Sequence, residues 1–342
     1  MNILVTGAGA PGGPGIIKAL KGYPLLMITA ADANPEASGR FLCENFELIP
    51  KASDPDFIDV ILRICEARQI KIIFPLVTKE LFHFAKHKAR FHALGIKVIV
   101  SDEEPLNLAN NKRKLYEHLQ SQQIAVPEFY KVNTIEEFKE AASKLDYPHK
   151  PFCFKPSVGN GSRGFRIVSK SVDEFDLLFN HKPNVTFMSY EKALEILESQ
   201  SFPELLVTEY LPGEEYTVDT MIKNGKPFII LPRLRSQMRD GISIGGTFVN
   251  EPEIINYCKQ IIESIPLHGP IGIQVKKASD GSFKILEVNP RIQGTSVAAM
   301  GLKINLPLIA VMQEFDMEID FMPTEIAWGT KFLRYYEEVF YK

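Results

Sequence analysis

The sequence predicts an α/β layer followed by an α+β region, and three features carry that expectation. Between Met1 and about Val100, short apolar runs alternate with amphipathic stretches of helical length. The first run leads into a turn, Gly7, Gly9 and Gly12, that satisfies G-x-G-x-x-G and opens a helix. Beyond Val126-Pro127 the pattern changes to strand-like pieces separated by glycine turns, with helices between them.

Taken in order, the first region reads as strand 3–6, helix 14–21, strand 25–29, helix 55–68, strand 71–74, helix 79–91 and strand 96–99. Strands spaced by helices of this length wind right-handedly into a parallel, Rossmann-like sheet of about four or five strands. "SDEEPLNLANNKRKLYEHLQSQQIAVPEF" follows as a linking helix, in which the run Lys112, Arg113, Lys114 has the composition of a solvated face. Thr134-Ile-Glu-Glu is a capping box for a helix Glu136 to Leu145. "FCFKPSVGNGSRGFRIV" is two apolar strands around a glycine-rich turn, and a helix from Tyr190 to Ser199 precedes "LLVTEYLPGEEYTVDTMI" and "KPFIILPRLRSQM". "GIQVKKASDGSFKILEVNPRI" holds Asp280-Gly281 between alternating strands, a hairpin signal. The C-terminal two-thirds is therefore expected to be mainly antiparallel with packed helices.

At 342 residues, 45% hydrophobic and 24% charged, the chain is long enough for two or three domains with cores of their own. A formal net charge of −3 provides no global basic field, so neither nucleic acid nor an anionic membrane is an expected partner. Cys43, Cys65, Cys153 and Cys258 stand far apart, without a C-x-x-C pair or a neighbouring His at ligand spacing, which speaks for reduced, buried thiols over zinc or disulfides. A strand and a glycine turn stand where a signal peptide would need an apolar run, and the expected location is cytoplasmic.

The opening "MNILVTGAGAPGGPG" admits two readings. Gly7, Gly9 and Gly12, with Asp32 about 20 residues on, fit a dinucleotide site for NAD; a glycine turn can also serve another ligand. Three further clusters bear chemistry. In "KPSVGNGSRG", Lys155 leaves a strand and is followed by Gly159, Gly161, Ser162 and Gly164, a point charge beside backbone N–H groups able to wrap phosphate oxygens; a plain glycine hairpin has the same pattern. In "LEVNPR", Glu287 and Asn289 lie two apart on a strand and share a face, while Leu286 and Val288 point to the core. Two oxygen ligands so placed suit magnesium, which completes its shell with phosphate and water; most such pairs simply face solvent. In "TEYLPGEEYTVD", a strand enters a Pro-Gly turn, offering backbone groups to an adenine edge and Glu215 to ribose hydroxyls.

In this order and spacing the clusters resemble the ATP-grasp superfamily, most closely short carboxylate–amine ligases similar to the carbamoyl-phosphate synthetase large subunit. The resemblance runs through "NKRKLYEHLQSQQIAVPEF", "KPSVGNGSRGF", "EYLPGEEYTVD" and "GIQVKKASDGSFKILEVNPRIQGTSVAAMGLKINLP". It implies an ATP-grasp fold with a Rossmann-like pre-ATP-grasp domain over 1–105, a linking helix and small ATP-grasp subdomain over 106–208, and a C-terminal ATP-grasp subdomain over 209–342. It further implies ATP and Mg2+ (or Mn2+) as cofactors. Lys112, Lys155, Gly159, Gly161 and Ser162 would meet the phosphates, Glu209 and Leu211 the adenine, and Glu215 the ribose. Gln274, Glu287 and Asn289 would surround the metal, although many relatives carry a different ligand in place of Gln274. Arg291 would stabilise the transferred phosphoryl group with Lys155.

The implied reaction is phosphorylation of a carboxylate to an acyl phosphate, then attack by an amine with release of ADP and phosphate. Gly159 to Gly164 would close over the nucleotide. The first glycine turn would border the acceptor site, placing Gly9 there, and Arg235 or Arg239 in "PRLRSQMRDGISIGGTF" would hold the substrate carboxylate; surface arginines on a hairpin are the equal alternative for the latter pair. Dimers are common among such proteins, which admits a homodimer here. A non-catalytic nucleotide-binding module and an NAD(P)-dependent reductase are the competing functions, and the substrates are not named by the sequence.

Overall fold

The computed structural model describes residues 1–159, 161, 163–180, 186–239, 241–319 and 325–341. It divides into two compact units: a larger one of Met1–Ala109, Tyr216–Gln274 and Val288–Lys342, and a smaller one of Asn110–Glu215 and Val275–Glu287.

The larger unit begins with a parallel sheet. Its elements are β1 (Asn2–Thr6), α1 (Gly13–Lys21), β2 (Met27–Asp32), β3 (Asn45–Leu48), α2 (Phe57–Ala67), β4 (Ile72–Pro75), α3 (Thr78–Lys86), α4 (Lys88–Ala93) and β5 (Lys97–Val98), with α5 (Glu103–Asn110) closing the region. The strand order β3-β2-β1-β4-β5 reverses direction of growth at β1/β4, the doubly wound arrangement. Ile3, Val5, Ile28, Ala30, Ile72 and Phe74 feed one core and Leu4, Ala31, Ile73 and Val98 another, so the strands are apolar on both faces as a helix-covered sheet requires. Three details differ from expectation. β2 starts at Met27, where pairing with β1 begins, and runs through the buried alanines Ala30 and Ala31 to Asp32. β3 was not anticipated, since Asn45 to Leu48 is a mixed-polarity edge strand without buried residues. The helix over 79–91 breaks at His87, which ends α3 and begins α4.

The smaller unit contains α6 (Lys112–Ser121), β6 (Phe129–Val132), α7 (Ile135–Lys144), β7 (Phe152–Pro156), β8 (Arg166–Val168), α8 (Glu174–Phe179), β9 (Phe187–Met188), α9 (Tyr190–Glu198) and β10 (Leu205–Glu209). They form a sheet ordered β6-β10-β7-β8-β9, packed on α7 and α9 through Phe138, Phe152, Phe154, Val168, Ala193 and Val207. The expected single linking helix is two. Asn111 is extended, and its side chain accepts from the Lys114 N–H at 3.0 Å, so it caps α6 and stops α5 from running on. Thr134 caps α7 as the capping box predicts.

The remaining elements are β11 (Glu215–Lys223), β12 (Lys226–Arg239), β13 (Ile242–Phe248), α10 (Pro252–Ser264), β14 (Gly269–Lys277), β15 (Phe283–Asn289), α11 (Leu306–Glu314) and β16 (Lys331–Leu333). Their sheet is ordered β15-β14-β11-β12-β13-β16, which leaves β15 on an edge. The segment Ser296–Leu302 is a 3-10 helix, which stops at Lys303 in the left-handed region, φ 61°. Leu286, expected in the core, is half-buried, whereas Ile285 and Val288 are buried. Cys65, Cys153 and Cys258 are buried, Cys43 is half-buried, and all four are free. Among the described residues no single helix is long and apolar enough to cross a membrane.

The first glycine turn is closed at Gly12 by protein. A Cβ on Gly12 would stand 2.3 Å from Gly294 Cα, so two backbones meet where a dinucleotide site would keep room for pyrophosphate. Asp32 Oδ2 accepts from the Gly9 N–H at 2.8 Å and its Oδ1 from the Asn34 N–H at 2.8 Å, engaging the carboxylate that the NAD reading gave to a ribose. The glycines are thus required by chain packing. Gly12→Ala is expected to lower stability by about 2 kcal/mol, read from the urea midpoint, while an alanine at Gly95, where a Cβ meets nothing within 4 Å, suffers only from its φ of 70°.

Candidate functional site

The smaller unit gathers two lysines and a carboxylate. Lys112 is the first residue of α6, and its backbone N–H donates to Ser157 O at 2.9 Å. Its Nζ donates to Gly159 O at 2.8 Å and lies 3.2 Å from Glu287 Oε2, so one residue pins the start of the glycine turn and neutralises the acid of β15. Lys112 is only 8% exposed, contrary to the solvated reading of the basic run. Neighbouring Arg113 is tied to Glu117 and Glu204, at 2.7 and 2.9 Å.

Lys155, near the end of β7, donates from Nζ to Leu286 O at 3.1 Å and to the Tyr116 hydroxyl at 3.3 Å. Burial, followed by the nearby charge of Lys112, brings its pKa down to about 8 against the pull of Glu287 and Glu215. An ammonium so placed gains much from an arriving anion, which would restore its full charge. Gly161 and Gly164 take positive φ, 66° and 76°, and a Cβ on Gly164 would come 2.7 Å from Pro156 Cδ, so glycine is needed there for the turn to close on the strand. Ser162 lies outside the described residues.

Beyond β10, Leu211 is buried, and Gly213 donates to Lys277 O at 3.0 Å with no room for a side chain against Lys277. Glu209 Oε1 accepts from the Glu128 N–H at 2.8 Å and from Lys284 Nζ at 2.6 Å, so this carboxylate is engaged by the protein. Glu215, the first residue of β11, acts on Lys155 through its charge.

Other expected residues belong to the larger unit. Gln274 is on β14 and Asn289 ends β15, both half-buried. Arg291 donates from Nε to Thr78 Oγ1 at 3.1 Å and from Nη1 to Ile292 O at 2.8 Å. Arg235 donates to Gly241 O at 2.6 Å, and Arg239 is exposed, donating to the Tyr336 hydroxyl at 3.0 Å. Arg233, on the same strand, is fully buried. It pairs with Asp219 at 3.0 Å and donates to Thr295 Oγ1 at 2.9 Å, and Ser296 Oγ donates to the other Asp219 oxygen at 2.6 Å. This network ties β11, β12 and the 293–296 segment together.

Sequence reasoning did not find Tyr116 or Glu80. Tyr116 is fully buried, one helical turn after Lys112, and that i,i+4 spacing was the available signal. Glu80 lies in the first turn of α3, where Thr6 Oγ1 donates to its Oε2 at 2.5 Å. Burial, then the charge of Asp32, pushes its pKa up to about 7 although the threonine bond opposes this.

The sequence and the fold have known counterparts. A family profile described as "ATP-grasp in the biosynthetic pathway with Ter operon" matches residues 201–329, and one described as "PylC-like, N-terminal domain" matches residues 3–99. The chain is similar to the carbamoyl phosphate synthase large chain of Clostridium acetobutylicum, 24% identical over 230 residues, and to that of Clostridium botulinum, 26% over 226 residues. These stretches cover 64% and 63% of this chain, which spans about a fifth of the length of these relatives (20% and 19%). Among solved structures, N5-carboxyaminoimidazole synthetase from Staphylococcus aureus complexed with ADP superposes with a TM-score of 0.68 at 15% identity, covering 93% of this chain and 78% of that one. Biotin carboxylase from Campylobacter jejuni, in a complex with βγ-ATP, gives 0.70 at 17%, covering 96% and 74%. L-amino acid ligase from Bacillus licheniformis gives 0.64 at 16%, covering 92% and 73%. The fold is the one these solved structures share, and the profile matches are to an ATP-grasp family over 201–329 and to a PylC-like N-terminal domain over 3–99.

Glu80 provides a test of the geometry of the larger unit. Its folded pKa lies above the ordinary 4.5, so its contribution to stability is fully present below pH 4.5 and is lost as pH rises through about 7. Glu80→Gln is expected to remove that loss: relative to the native chain the variant gains on the order of 3 kcal/mol between pH 4.5 and pH 8, measured by urea unfolding at both pH values.

Proposed function

We propose that the chain is an ATP-dependent ligase that phosphorylates a carboxylate to an acyl phosphate and couples it to an amine, releasing ADP and phosphate. The observation that carries this reading is the cluster of Lys155, Lys112 and Glu287 at the mouth of a glycine turn, two cations and one acid within a fold shared with proteins solved with ADP or an ATP complex. Lys155 and Lys112 hold phosphate oxygens, with Gly159 and Gly161 supplying backbone beside them. Leu211 contributes an apolar wall for the base, and Glu209 and Glu215 are assigned to the nucleoside.

Among the described residues no three His, Cys, Asp or Glu side chains could hold a metal, so a metal held by protein side chains of these types alone does not fit. Magnesium fits, because it takes few protein oxygens; Glu287 and Asn289, two apart on β15, would hold it, with Gln274 on the neighbouring strand. When bound with phosphate and water it would neutralise charge on the phosphoryl group in transfer.

Arg291 is assigned to the transferred phosphoryl group, and Gly9 and Arg235 or Arg239 to the carboxylate substrate. Catalysis then rests on alignment and charge, as phosphoryl transfer demands little covalent work from protein.

Release of ADP across pairs of carboxylates and amines tests the ligase: turnover is expected with one such pair, and Glu287→Ala is expected to abolish it. ATP binding without turnover for any pair would instead support the nucleotide-binding module. Since Lys155 loses its charge above about pH 8, the ATP Kd is expected to be flat from pH 6 to 7 and to rise by up to about tenfold per unit above 8, by titration calorimetry. Alanine at both Arg235 and Arg239 is expected to raise the KM of the carboxylate with little change in that of ATP; an unchanged carboxylate KM removes the arginines from the site.

A further inference from the structure

Tyr116 occupies a junction of three elements in the smaller unit. Its hydroxyl lies 2.9 Å from Ile285 O and 3.0 Å from Leu286 O, and it is fully buried with its ring edge-on to Phe129 at 5.4 Å. A phenol has one proton, and it is given to these carbonyls, so the oxygen offers a lone pair to Lys155 Nζ at 3.3 Å. Leu286 O also accepts from Lys155 Nζ, at 3.1 Å. In a regular strand successive carbonyls point to opposite edges, so their convergence on one hydroxyl marks a local break in β15. Burial agrees: Leu286 and Glu287 are both half-buried where strict alternation would separate them. The break falls immediately before Glu287, whose carboxylate meets Lys112, one turn before Tyr116 on α6.

We infer that Tyr116 is a positioning residue for nucleotide binding: its hydroxyl fixes Lys155 Nζ and the kink of β15 that aims Glu287, so that α6, β7 and β15 present their charged groups in one arrangement. The inference rests on the proposed nucleotide site. Neither lysine nor glutamate alone can set this arrangement, because Lys155 has three donors on a flexible stem and needs fixed acceptors to hold it. The hydroxyl supplies one acceptor directly and orients the other through the Leu286 carbonyl.

The test is ADP binding by calorimetry, together with the thermal midpoint of the nucleotide-free protein. Tyr116→Phe, which keeps the ring, is expected to weaken ADP binding about tenfold with a small change in midpoint. Phe129→Leu, which loosens the ring contact and keeps the hydroxyl, is expected to lower the midpoint and leave ADP affinity within about twofold. In a Lys155→Met background, adding Tyr116→Phe is expected to change ADP affinity by less than about twofold, because the two act as a unit. Native affinity in Tyr116→Phe, additive losses in the double variant, or losses that track the thermal midpoint across both single variants would each overturn the inference while leaving the nucleotide site standing. Failure of the unaltered protein to bind ADP would overturn the nucleotide reading and this inference with it.

Discussion

The candidate site depends on how β15 satisfies its backbone. In the smaller unit the carbonyls of Ile285 and Leu286 on β15 accept from side chains, the Tyr116 hydroxyl and, for Leu286, the Lys155 ammonium. Buried carbonyls left unmet are costly, so this requirement holds α6, β7 and β15 to one another more firmly than their apolar contacts alone would. The consequence is chemical. Lys155 is kept beside Lys112 in a buried place where two ammonium groups are mutually unfavourable, and the acids Glu287 and Glu215 relieve part of that repulsion.

The larger unit solves a different problem by the same means. Asp219 and Arg233 are both without solvent, and each would be prohibitive alone; together with Thr295, Ser296 and Gln293 they form a connected polar group inside an otherwise apolar sheet. The network fastens the segment after β15 to β11 and β12. That segment includes Gly294, which in turn meets Gly12, so the first glycine turn and the large sheet are set in place by one chain of contacts within this unit.

The fold was largely legible because periodicity reports burial. Alternating helices and strands gave the parallel sheet, and Thr134 and Asp280-Gly281 marked a cap and a hairpin that the structure contains. What escaped were features whose sequence signal is not periodic: the mixed edge strand β3, the break at Asn111, and the 3-10 turn over Ser296–Leu302. In the candidate site, Lys155 and Glu287 could be singled out by the order and spacing of their clusters along the chain, since each pattern alone is shared with a plain glycine hairpin or a solvent-facing pair. Tyr116 could not, since an aromatic residue on an amphipathic helix packs in a core far more often than it bonds a strand. Nothing in the sequence marks Glu80 or Arg233 as buried until its partner, 74 or 14 positions away, is known.

The contact between Gly12 and Gly294 has a bearing on how this scaffold could change its ligand. A turn that looks from its spelling like an open socket is already plugged by a second strip of main chain. Converting it to hold a redox coenzyme would mean rerouting the 292–295 loop, a remodelling no single exchange of side chains accomplishes. Two glycines far apart in the chain thereby act as one lock on what the N-terminal layer can evolve to hold.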